Sequence, residues 1–265
     1  MKKNKNSVVF AGAGPGDPGL ITVNAMNALK TANLIIYAGS LVPEAVLCWR
    51  GEKTETKSSA GMDLNTIIDT IKTYHERGEK IVRLHTGDPA LYGAIHEQME
   101  ALEKLNIPYE IIPGVTAAFA ASSKMNMEYT LPEITQTLIL TRVSGRTPVP
   151  ESEALEKLAA HQAAMAIYLS IGLIEKVQKV LEKHYGKESL SAIAYKVSHP
   201  EEKIIYTKTK NLVKSCEENK ITRHALVIAG KCVAAAGGDN DSQSKNILKS
   251  KLYDAGFSHG CREKK

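Results

Sequence analysis

Nowhere does the sequence hold an apolar run approaching the ~20 residues that a helix needs to cross a bilayer. The opening "MKKNKNSVVFAGAG" is basic, but its apolar stretch is too short for the core of a secretory signal. A cytoplasmic protein with no membrane partner is therefore expected. Cysteine is scarce and unpaired: Cys48, Cys216, Cys232 and Cys261 form no CxxC, so reduced structural thiols are expected. The eight histidines include no HExxH, and the spacing of His85 and His96 suggests no metal site, so no metal is expected. Charge excess is slight, 34 basic against 29 acidic residues. That balance hints at an anionic ligand and is far from a nucleic-acid arm, so no nucleic acid is expected. No repeat with the ~20 to 50 residue period of solenoids is evident.

Two nucleotide-site signatures are also incomplete. "GAGPG" follows an apolar run as a dinucleotide turn would, but that fold wants an acidic residue at the end of the second strand for the ribose. Here the second run ends "IIYAGS", without Asp or Glu, and Pro15, Asp17 and Pro18 interrupt the turn before any helix begins. The same gap counts against the common methyltransferase sheet. The phosphate loop GxxxxGK[ST] is absent. Alone, this glycine cluster marks a tight turn as readily as a ligand contact.

What is present is an ordinary globular composition, 43% hydrophobic and 24% charged over 265 residues. That length suits one large or two modest domains. "SVVFAGAG", "NLIIYAGS", "EKIVRLHTGDP" and "PYEIIPGVT" read as buried strands. They alternate with helical stretches "LITVNAMNALKTA", "DLNTIIDTIKTYHERG", "ALYGAIHEQMEALEKLN" and "AAFAASSKMN". Asp63 and Gly78 would bound the second helix as N-cap and C-terminal stop. Such alternation predicts a parallel sheet with helical crossovers. A second series runs "TQTLILTR", "PESEALEKLAA", "AAMAIYLS", "IGLIEKVQKVLEKHYG", "LSAIAYKV", "KIIYTKTK", "NLVKSCEEN" and "RHALVIAGKCV". "LSAIAYKV" and "KIIYTKTK" are close enough to pair as a hairpin, so this sheet is expected to be mixed. The predicted class is α/β, with a boundary near Ser122 to Pro132. An N-terminal α/β domain over 1–122, first sheet mainly parallel, precedes a C-terminal α/β domain over 123–233. A flexible tail over 234–265 is expected from its Gly, Ser, Asn and Lys content.

Gly-Asp-Pro occurs twice, around Asp17 and Asp88. Asp is a good N-cap and Pro suits the first helical position, so each copy is expected to start a helix. Both also lie at carboxyl ends of predicted parallel strands, where open α/β sheets bind ligands. Gly12 to Gly19, Gly87 to Gly93 and Pro113 to Thr116 should outline one crevice, suited to a small polar ligand with an adenosine part.

Taken together, "GAGPGDPGLIT", "YAGSLVP", "HTGDPALYG", "PGVTAAFAA", "LPEITQTLILTR" and "HALVIAGKCV" resemble, in order, the tetrapyrrole methylases. The likeness covers residues 7 to about 233. "YAGSLVP" and "LPEITQTLILTR" are most similar to the branch that methylates precorrin-4 at carbon 11. The resemblance implies S-adenosylmethionine as methyl donor, S-adenosylhomocysteine as product, a homodimer, and an active site in the cleft between two α/β domains. Family cofactor contacts carry over to Pro15, Gly87, Asp88, Leu91, Thr116 and Ala117, and then to Ile171, Val197 and Ala225. Ile171 stands where related enzymes often have Met, so a backbone contact is expected to survive better than a side-chain one.

Methyl transfer from a sulfonium releases a neutral thioether and needs no acid. The reduced tetrapyrrole carbon is already electron-rich, so alignment in a dry site is the protein's main task. Asp17, Asp88 and His85 are available, but nothing selects one as a base. The resemblance implies an anionic tetrapyrrole as substrate, and "LTRVSGRTPVPE" offers Arg142 and Arg146 to its carboxylates. Asp17, Tyr37 and Ser40 are expected at the same mouth. Three other readings compete: a methylase acting at another ring carbon or on uroporphyrinogen III, a nicotinamide-dependent reductase, and a non-catalytic tetrapyrrole-binding protein.

Overall fold

The computed structural model describes residues 7–236, residue 250 and residues 256–258. It divides into two compact units, Met1–Ala120 with Ser198–Pro200, and Ala121–Val197 with Glu201–Lys265. Apart from residues 234–236, 250 and 256–258, the tail expected over 234–265 lies outside the described residues.

The first unit holds β1 (Val8–Gly12), β2 (Leu34–Tyr37), β3 (Glu55–Ser58), β4 (Ile81–His85) and β5 (Tyr109–Ile112). They form one sheet in the order β3-β2-β4-β1-β5, and every pairing is parallel. Apolar residues cover both faces, as a sheet flanked by helices on each side requires. Phe10, Leu34, Ile36 and Ile81 pack beneath α2 (Leu64–Glu76) and α3 (His96–Lys104). Ala11, Ile35, Val82 and Leu84 pack on the opposite face, toward α1 (Val23–Thr31). β4, β1 and β5 are adjacent, so the three turns that leave their carboxyl ends emerge side by side.

Asp63 caps α2 as expected, accepting from the amide of Thr66 at 2.8 Å. The Gly-Asp-Pro copies do not behave as expected. Asp17 caps only a single 3-10 turn, Pro18–Leu20, and α1 begins later under Thr22, whose hydroxyl accepts from Ala25 N. After Asp88 no helix starts until His96. Tyr92 and Ala94 take left-handed φ values of 58° and 47°, which a helix cannot absorb. β3 also escaped prediction. Its four residues, Glu-Thr-Lys-Ser, include none buried and carry no apolar alternation.

The second unit pairs β6 (Leu138–Arg142) and β7 (Ala164–Tyr168) in parallel. β8 (Leu190–Tyr195), β9 (Lys203–Lys208) and β10 (Ala225–Ala229) are antiparallel to their neighbours, in the order β6-β7-β10-β8-β9. β8 and β9 pair directly, so the sheet is mixed. One core joins Met165, Ile167, Ile193 and Val227 to α5 (Leu155–Ala159), α6 (Ile174–Tyr185) and α7 (Leu212–Glu218). α4 (Ala117–Lys124) begins within the first unit. The last predicted strand ends at Ala229, and Lys231–Ala236 forms α8, with Cys232 and Val233 buried. No helix among the described residues is long and apolar enough to cross a membrane.

Candidate functional site

The three turns predicted to form one crevice meet backbone to backbone. Ala13 N donates to the carbonyl of His85 at 2.7 Å, and Gly87 N donates to the carbonyl of Gly14 at 2.8 Å. Gly14 and Gly87 adopt φ of 76° and 60°, a conformation that disfavours any side chain. A Cβ placed on Gly12 would lie 2.5 Å from Gly114 Cα and 2.5 Å from Gly87 O. The ends of β1, β4 and β5 therefore approach more closely than any other residue type allows.

Asp88 locks two of these turns together. Its Oδ1 accepts from Ala90 N at 2.8 Å, and its Oδ2 accepts from Gly114 N at 2.9 Å. That bridge explains why Asp88 caps no helix: the carboxylate is engaged across to the Pro113–Thr116 turn. A carboxylate has about four acceptor positions, so capacity for a ligand remains. Pro15 and Gly87 are buried, Leu91 and Ala117 are half-buried, and Thr116 is buried where its carbonyl starts α4.

The turn carrying Asp17 is held from three sides. The Asp17 amide donates to Ser198 Oγ at 3.0 Å, and the indole N–H of Trp49 donates to Pro18 O at 3.0 Å. The imidazole of His199 lies so close to Gly16 that a Cβ there would meet ring atom Nε2 at 2.5 Å. Asp17 itself is exposed, Tyr37 is half-buried at the end of β2, and Ser40 is exposed in the loop that follows.

His85 sits at the carboxyl end of β4, almost fully buried beside Phe10, their ring centres 6.0 Å apart. Its buried Nε2 has no hydrogen-bond partner. Burial first, and the positive charge of Arg83 second, pull its pKa down from 6.5 to about 3. The folded value lies below the unfolded one, so between about pH 6.5 and 3 the unfolded chain binds the extra proton and stability falls with acid. His85→Gln removes this proton. Its melting temperature is expected to fall less than that of the wild type between pH 6.5 and pH 4. Parallel melting curves would contradict the neutral buried state.

Residues 7–213 match the family model for "Tetrapyrrole (Corrin/Porphyrin) Methylases". The chain belongs to the tetrapyrrole methylases. It is 44% identical over 261 residues to the cobalt-precorrin-4 C(11)-methyltransferase of Methanocaldococcus jannaschii, covering 98% of this chain and 97% of that protein. Its fold matches a crystallographic cobalt precorrin-4 methyltransferase with a TM-score of 0.84 and 40% identity, over 88% of this chain and 98% of the other. The uroporphyrin-III C-methyltransferase of Thermus thermophilus complexed with S-adenosylhomocysteine shares the fold, with a TM-score of 0.71 and 23% identity over 90% and 99% of the two chains.

In the second unit of this methylase, Ser170 Oγ donates to Tyr168 O at 2.6 Å and accepts from Val143 N at 2.8 Å, tying the ends of β6 and β7. Ile171 and Val197 are buried, with Ile171 in the unit's core, and Ala225 is half-buried at the start of β10. Arg142 donates to the carbonyls of Thr147 and Pro148 at 3.0 and 2.8 Å, so its guanidinium fastens the loop that carries the exposed Arg146.

Sequence reasoning missed four residues of the methylase. Trp49, Ser198 and His199 had no local motif, and Ser198 meets Asp17 across 181 positions. Leu169, 67% exposed at a left-handed φ of 51°, follows β7 directly. A large apolar side chain held outward in that conformation marks a strained position, and strain collects at functional sites. Nothing in "YLSIG" signals it. Among the described residues no cluster of three His, Cys, Asp or Glu could hold a metal ion.

Proposed function

We propose that this methylase transfers a methyl group from S-adenosylmethionine to carbon 11 of cobalt-precorrin-4, a step of cobalamin biosynthesis. The observation that carries the reading is the junction of Gly12, Gly14, Gly87 and Gly114 with the Asp88 bridge, in a chain 44% identical to a cobalt-precorrin-4 C(11)-methyltransferase. The reading takes the chain as an N-terminal domain over 1–122 and a C-terminal domain over 123–233, working as a cytoplasmic homodimer.

The donor set fits such a cofactor. Main-chain groups at the ends of three adjacent strands suit the neutral hydroxyl and amino groups of adenosine, and the open acceptor positions of Asp88 suit hydroxyl or ammonium donors. Pro15, Gly87, Asp88, Leu91, Thr116 and Ala117 form the cofactor contacts of the first unit. Ile171, Val197 and Ala225 are those of the second. When bound, the cofactor supplies a methyl group on a sulfonium whose departure as a neutral thioether needs no acid. The chain's residues therefore bind, orient and exclude water rather than donate a proton. Placing donor and acceptor at roughly 3 Å removes most of the entropic cost of a bimolecular step.

Arg142 and Arg146 read the anionic arms of the tetrapyrrole, and Asp17, Tyr37 and Ser40 line the same mouth. Arg146→Ala is expected to raise the substrate KM severalfold with the melting temperature unchanged, because that side chain is exposed. Arg142→Ala is expected to raise KM about tenfold and to lower the melting temperature as well, since it also releases the 143–150 loop. Two variants alike in both readouts would contradict this division.

Calorimetric titration with S-adenosylhomocysteine, NADH and a reduced tetrapyrrole tests the reading as a whole. Binding of the first and third, and not of NADH, is expected. Binding of NADH, or of the tetrapyrrole alone, would overturn it.

A further inference from the structure

We propose that Gln98 and Arg83 are positioning residues that hold the Asp88–Ile95 loop in its ligand-binding form; this rests on the cofactor reading above. Arg83 is 5% exposed in the middle of the sheet, an expensive place for a cation. Burial lowers its pKa to about 10, so it is still charged at neutral pH. Among the described residues no carboxylate pairs with it. Its Nε donates to Gln98 Oε1 at 3.1 Å and its Nη1 to the carbonyl of Ile36 at 3.2 Å.

Gln98 is buried on α3 and passes the connection on. Its Nε2 donates to the carbonyl of Ala94 at 3.0 Å. Ala94 is one of the two left-handed residues, with Tyr92, that turn the loop back toward α3. The α3 backbone does not supply this bond; its first such bond runs from Met99 N to Ile95 O. At the other end of the loop Asp88 is fixed to Gly114, and Gly93 closes against the carbonyl of Pro89. Ala94, unlike glycine, resists its φ of 47°, so the loop keeps this form only where its surroundings impose it.

A carboxamide is the one side chain of this size and shape that accepts from a guanidinium and donates to a carbonyl at once. Glutamate would neutralise Arg83 and lose the donor. That the position carries the neutral residue, and leaves the buried cation without a carboxylate partner among the described residues, is accounted for by the bond to Ala94.

Gln98→Glu separates the loop from the fold. Its carboxylate still meets Arg83, so the melting temperature is expected to stay within a few degrees of wild type. Affinity for S-adenosylhomocysteine is expected to fall about tenfold, as it would if a tenth of the molecules kept the loop in place. Amide exchange over residues 90–95 should quicken while β1 and β4 keep their protection. Ala94→Gly on that background should recover part of the affinity, because glycine takes the left-handed turn without strain. Unchanged affinity and exchange in Gln98→Glu would overturn the proposal, and so would failure of the variant to fold. A wild-type protein that does not bind S-adenosylhomocysteine would instead overturn the cofactor reading, and the exchange comparison would still decide the positioning role.

Discussion

Asp88→Asn is expected to weaken S-adenosylhomocysteine binding tenfold or more while leaving a folded protein. An asparagine can direct its one oxygen to Ala90 N or to Gly114 N, at 2.8 and 2.9 Å in the wild type, but not to both. Whichever amide is left faces the NH₂ group, donor against donor. Hydrogen bonds to charged groups contribute about 1.5–3 kcal/mol, and each 1.4 kcal/mol is a factor of ten in affinity. The same loss would lower the melting temperature by roughly 3–10 °C in a chain of this size. Calorimetry on the folded variant checks both. Unchanged affinity with a lowered melting temperature would leave Asp88 as a staple between turns and nothing more.

The second large effect is expected at Gly114. A Cβ there would fall 2.8 Å from Gly12 Cα and closer still to the carbonyl of Gly87, and neither backbone atom can swing aside. Gly114→Ala must therefore spread the ends of β1, β4 and β5. Overpacking commonly costs 1–3 kcal/mol, and a backbone clash lies at the upper end or beyond. Loss of measurable S-adenosylhomocysteine binding, with a melting temperature lower by roughly 5–10 °C, is expected. Gly172→Ala is the control, since no atom lies within 4 Å of its Cβ position. A Gly114→Ala protein that binds like wild type would mean that the close approach of the three strands is not needed for the site.

Most of the sheet architecture was legible because parallel strands buried on both faces read as near-continuous apolar runs. "VVFAG", "LIIY" and "IVRLH" each announce a strand by that rule. β3 did not, because Glu55–Ser58 lies at the sheet edge and buries no side chain. The Gly-Asp-Pro copies misled for a different reason. Local propensity favours a cap and a helix, but the Asp88 carboxylate is engaged by Gly114, 26 positions away. The turn at Ala94 depends on a buried glutamine, which "ALYGAIHEQ" cannot reveal. In the site, the meeting of the three glycine turns was expected from their place at the carboxyl ends of predicted parallel strands. The docking of Ser198 and His199 on the Gly16–Asp17 turn was not, since no pattern links residues so far apart in the chain.

One measurement tests the central claim most directly. The protein is incubated with cobalt-precorrin-4 and S-adenosylmethionine labelled with ¹³C in its methyl group, and the product is analysed by mass spectrometry and NMR. The expected product carries one additional labelled methyl group, attached at carbon 11, with an equal amount of S-adenosylhomocysteine released. Metal-free precorrin-4 and uroporphyrinogen III, offered in parallel, should be methylated more slowly. Label at a different ring carbon, faster turnover of either comparison substrate, or no transfer at all from a protein that binds both ligands would contradict the account.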